Sequence, residues 1–156
     1  MVAPGMEAGI HVFFALLSGL LGAATLALLV KKAGDLSTIR ILSLLIAIFV
    51  WLSWVTVIPV YTTEYGTDKA VIKSFDDTRA AHSLGMETKE HIFYTGLILS
   101  ALLPITAYSV NPAGEAGRRL LISILIILLL GFLLMDALGA WIGLAAKQAW
   151  MMRAGG

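Results

Sequence analysis

Residues 120–146 read LLISILIILLLGFLLMDALGAWIGLAA, an apolar run broken by one acid, Asp136, and by no base. At about 1.5 Å per residue, a helix of this length outreaches the ~30 Å hydrocarbon core of a bilayer. Three further runs lie upstream: 91–110 (HIFYTGLILSALLPITAYSV), 41–62 (ILSLLIAIFVWLSWVTVIPVYT) and 8–30 (AGIHVFFALLSGLLGAATLALLV). Each has the ~20 residues a spanning helix needs. A transmembrane barrel would alternate apolar and polar residues in segments of about ten, whereas these runs are continuous and twice as long. The sequence therefore predicts an all-α integral membrane protein, a four-transmembrane-helix up-down bundle forming one domain over 1–156.

Composition agrees. The 156 residues are 59% hydrophobic and only 13% charged, with a mean hydropathy of +0.90, against about 25% charged residues in a soluble domain. The chain has no cysteine, which excludes disulfides, thiolate metal sites, iron–sulfur clusters and thioether-linked haem on this chain. A net charge of +1 and no long basic cluster leave no electrostatic footprint for nucleic acid.

The opening MVAPGMEAGI lacks the basic residue of a signal peptide, and the first run ends at Lys31-Lys32, so it reads as a retained anchor. The connections KKAGDLSTIR (31–40) and NPAGEAGRR (111–119) are short and basic, as cytoplasmic loops are. Both termini and the 63–90 loop are then expected outside, in a cell or inner membrane. Within that loop Val71, Phe75, Thr78 and His82 fall at helical spacing, Ser74 and Asp77 resemble a capping pair, and Gly85 marks a stop. A short amphipathic interfacial helix between spans two and three is the expectation. Pro59 and Pro104 are expected to bend their spans.

The chain's three histidines gather toward the outer side. His11 lies near the start of span one and His91 opens span three, so in an up-down bundle they are expected to face each other across the interior. Such a pair would ligate a b-type haem or a non-haem metal, with His82 as a substitute ligand. Below His11, Ala15, Ser18, Gly22 and Thr25 continue one small-residue face, suited either to close helix packing or to a flat cofactor. Glu87 and Glu90 flank His91 in GMETKEHIFYTG, where a carboxylate can orient an imidazole, bind metal itself, or merely cap the helix. Counting back from Lys147 puts Asp136 near mid-membrane, where an ionisable group is expected to face the interior and be buried. Ser18, Ser53 and Ser100 are its expected hydrogen-bond partners at similar depth, and Ala140 and Gly143 extend its face. Trp54 and Trp141 lie deeper than interfacial anchors and are read as bundle packing or a pocket lining.

Three functional readings follow. The first is electron transfer through a haem- or metal-binding site near the outer face, as in a respiratory complex subunit exchanging electrons with a quinone. The second is a non-catalytic accessory or assembly subunit of a larger membrane complex, marked by an Asp136 partner on another chain. The third, a proton or ion pathway through Asp136, is opposed by the apolar inner halves of spans two and four.

Overall fold

The chain, described here over residues 6–155 by a computed structural model, is helical almost throughout. Helix α1 runs Met6–Val30, α2 Leu36–Pro59, α3 Tyr65–Lys73, α4 Asp76–Ala80, α5 Glu87–Ser109 and α6 Glu115–Gly155. Four helical stretches are long and apolar enough to cross a membrane. Around the bundle α1 packs on α2, α2 on α5, α5 on α6, and α6 on α1.

The region between the second and third spans carries the short helices α3 and α4 and runs on from both spans through helical turns. Pro59 lacks the N–H that would continue the α-ladder, and the backbone answers with a π turn over Val60–Glu64 that keeps right-handed helical angles into α3. Hydroxyls from the same stretch serve the loosened carbonyls, with Thr63 Oγ1 donating to the Pro59 oxygen at 2.6 Å and Thr62 Oγ1 to Ile58 at 2.9 Å. A break comes only at Ser74-Phe75, where Phe75 is extended. The chain then returns through α4 and a second π turn, Ala81–Met86, directly into α5. The expected helix start near residue 75 is present, but Ser74 does not cap it, since its hydroxyl donates back to Val71 at 2.7 Å. Gly85 stops nothing. It lies inside the second π turn, where the Trp141 ring rests 3.1 Å from the place a Cβ would occupy.

These segments form a helical hairpin that packs against the far part of α6. Tyr65, Ile72, Ala81 and Met86 bury against Ile142, Ala145 and Ala146, and the Trp150 indole donates to Asp68 at 2.8 Å. One face of the tail of the fourth apolar run is thus covered by protein, while Trp141 and Leu144 on the other stay exposed. Helix α6 would be about 60 Å long, twice a hydrocarbon core.

A separate core fills the spans, built on Ile46, Val50, Leu97, Leu103, Leu121 and Leu125. Its polar side chains turn back onto their own helices: Thr25 to Leu21, Ser43 to Ile39, and Ser100 to Leu97, each at 2.7–2.8 Å. At the pole away from the hairpin, Arg40 donates to the carbonyls of Ala107 and Tyr108 at 3.1 and 3.3 Å and lies over the Tyr108 ring, closing the carbonyl end of α5.

Candidate polar site at the hairpin pole

His11 is half-buried and bound to α2. Its Nδ1 lies 2.8 Å from the Ser53 carbonyl oxygen and 2.9 Å from Ser53 Oγ, while that hydroxyl donates to the His11 carbonyl at 3.2 Å. A carbonyl only accepts, so Nδ1 carries a proton, and in the neutral ring the lone pair would lie on Nε2. Ser53 thus serves His11 and not Asp136.

Charges from the other two long helices reach the same place. Lys89 of α5 and Asp136 of α6 are both within electrostatic range of His11. The Lys89 ammonium lies over Gly139, 3.1 Å from where a Cβ would stand, so the glycine makes room for it. Among the described residues no carboxylate comes within ion-pair distance of Lys89. His11, Ser53, Lys89 and Asp136 thus bring one polar group from each of the four long helices to a common pole.

Asp136 is exposed rather than buried. It shares a flank of α6 with Leu129, Ala140 and Gly143, spaced at seven, eleven and fourteen residues. Leu129 meets α1 at Gly22, 3.2 Å from a notional Cβ, and Phe132 approaches Gly19 at 4.0 Å. Toward the hairpin pole the seam is uncovered among the described residues: Ala140 and Gly143 are exposed, and no described atom lies within 4 Å of the Cβ position of Gly9 or Gly143. The expected small-residue extension of the Asp136 face is there, turned outward.

The other sequence candidates separate. His91 takes no hydrogen-bond partner in common with His11. It is exposed, two residues and so about 200° around α5 from Lys89, with its Nδ1 2.7 Å from the Glu87 carbonyl oxygen. It heads a groove of about 370 Å³ between α5 and α6, floored by Gly96 and Gly131. Glu87 reaches His91 through its backbone, and the Glu90 carboxylate accepts from the Tyr61 hydroxyl at 2.6 Å. His82 binds Tyr65, whose hydroxyl lies 2.7 Å from Nδ1. Ser18 donates to the Ala15 carbonyl at 2.8 Å, and Trp54 packs edge-on against Trp51. Among the described residues no three His, Asp or Glu side chains gather as a metal site would require. Lys89, the one base in GMETKEHIFYTG, is the charge of that stretch that enters the cluster, and Gly139 makes the space for it.

Burial, with the negative charges of Tyr61, Glu90 and Asp68, pushes the Tyr65 phenol up to about 12. The folded hairpin therefore holds this proton more tightly than the unfolded chain, whose tyrosine titrates near 10. Its stabilisation is complete below pH 10 and is lost as pH rises toward 12. Hydrogen exchange across α3, corrected for intrinsic rate, should accelerate over that window, and Tyr65→Phe should flatten the rise. Equal alkaline responses of the two proteins would contradict the assignment.

Compared with protein families, curated proteins and solved structures, the chain matches none of them.

Proposed function

We propose that this chain is an accessory subunit of a larger membrane complex, an up-down bundle whose α6 flank receives a span of another protein at Asp136, Ala140 and Gly143. The hairpin and both termini would lie on the non-cytoplasmic side, because Lys31, Lys32, Arg40, Arg118 and Arg119 gather at the other pole. One observation carries this reading: a carboxylate inside the spanning part of α6 is exposed on the isolated chain, with small exposed residues continuing its face. A charged side chain in hydrocarbon costs up to about 2.5–3.5 kcal/mol unless something pairs or hydrates it. Small residues let a neighbouring helix come close enough to donate to it, so the matching span would carry a lysine, an arginine or a hydroxyl or amide donor.

The test is native-gel mobility of the tagged chain extracted from its own membrane in mild detergent. Wild type should migrate as a complex, and Asp136→Leu or Gly143→Leu should shift it to the free subunit. Asp136→Asn should fall between, and Ile98→Trp, on an exposed part of α5, should not move it. Wild-type mobility for both Asp136→Leu and Gly143→Leu would remove the proposal.

A redox reading retains one favourable feature, the oriented Nε2 of His11, because metal-bound histidines hold their other nitrogen on a carbonyl or carboxylate. His91 holds its Nδ1 on the Glu87 carbonyl in the same way. A reduced-minus-oxidised spectrum of purified protein tests what is left: a band that survives His91→Ala and disappears with His11→Ala would revive it.

A further inference from the structure

At the pole opposite the hairpin, α1 ends in a Schellman turn, with the Ala33 N–H on the Leu28 carbonyl at 2.9 Å and the Lys32 N–H on Leu29 at 3.3 Å. The motif sets one residue in the left-handed region, a place glycine normally fills. Here that residue is Lys32, at φ +52°, with Gly34 following at φ +99°. A lysine is strained there relative to glycine, and strain of this kind persists where a side chain is needed.

Lys32 and Arg118 both line a pocket of about 150 Å³, together with Leu28, Leu36 and Ile39. Asp35 also lines it, but its carboxylate accepts the Thr38 N–H at 2.6 Å as the N-cap of α2. Glu115 is taken by Arg119. Among the described residues neither Lys32 nor Arg118 has a carboxylate within ion-pair distance. Two cationic residues thus share one pocket with several leucines and an isoleucine, at the end of the spans, beside an exposed Leu36.

We infer that this pocket seats the phosphate of an anionic phospholipid. Arg118 presents a planar fork to the phosphate oxygens and Lys32 a point charge, while the leucine lining meets the first carbons of the acyl chains. Charge complementarity favours this occupant, because Lys31, Lys32, Arg40, Arg118 and Arg119 outnumber Asp35 and Glu115 at this pole and would draw anionic headgroups to it. The apolar lining favours a lipid over a soluble anion, which has no use for apolar contact.

The test compares melting midpoints in nanodiscs of phosphatidylcholine with those in nanodiscs that also contain phosphatidylglycerol. Wild type should melt higher with phosphatidylglycerol, and Arg118→Gln and Lys32→Gln should each lose at least half of that increment. Lys32→Gly should raise the midpoint in phosphatidylcholine, by relieving the left-handed strain, yet lose the increment. Those opposite effects of one substitution separate binding from a folding defect. Lys69→Gln, at the other pole, should keep the full increment. The inference is overturned if wild type shows no increment, if Arg118→Gln and Lys32→Gly both retain it, or if inorganic phosphate reproduces it in phosphatidylcholine.

Discussion

Gly117→Ala should destabilise this protein by about 3 kcal/mol, although it adds a single methyl group. Gly117 lies in the first turn of α6, and a Cβ there would overlap the Asn111 carbonyl oxygen and come within 3.0 Å of Val110 Cγ2. The carbonyl cannot withdraw easily. It accepts the Gly114 N–H at 3.0 Å, the Asn111 side chain accepts the Ala113 N–H at 3.0 Å, and Pro112 between them has fixed backbone geometry. Relief would require re-forming the turn that sets α6 against α5. The midpoint in detergent should fall by roughly 5–10 °C. Gly66→Ala is the matching control, because its Cβ meets nothing within 4 Å and alanine improves the helix propensity of α3. If both variants melt with wild type, the reading of this turn is wrong.

Ile72→Ala should release the hairpin while leaving the four spans assembled. Ile72 is 0% exposed in the core shared by α3, the second π turn and α6. Truncating such a residue removes about 2–5 kcal/mol, and the whole of it falls on one locally held unit. Trypsin sites after Lys73 and Arg79 lie on that unit, near the Ser74-Phe75 break. At about 1.4 kcal/mol per factor of ten, cleavage there should be roughly 30-fold faster or more, while the size of the detergent-solubilised particle stays the same. Unchanged cleavage would mean that something other than this core holds the hairpin.

The four long helices were legible because no soluble structure accommodates uninterrupted apolar runs of such length. Their ends were not. Ile142, Ala145 and Ala146 look in sequence like lipid-facing residues, and hydropathy does not distinguish a side chain covered by lipid from one covered by a helical hairpin. The hairpin was obscured for a related reason: mixed charge, Gly66 and Gly85 imitate a loop, and the contact between Tyr65 and His82 follows only once the reversal at Ser74-Phe75 is known. Within the polar site, His11, Ser53 and Asp136 were each visible as polar residues in apolar surroundings. Their pairing was not, since it depends on helix rotation: Ser53 turns to His11, Asp136 turns outward, and Lys89, two residues from His91, enters in its place.

Because α6 continues unbroken from Glu115 to Gly155, it belongs to the spanning bundle and to the hairpin assembly at once. It is a lever with its fulcrum among lipid chains. A tilt of about 10° would swing an arm standing ~20 Å clear of the bilayer by roughly 3 Å, carrying Trp150 and the hairpin packed on it. A displacement of α6 around Ala140 would thereby be felt at the hairpin.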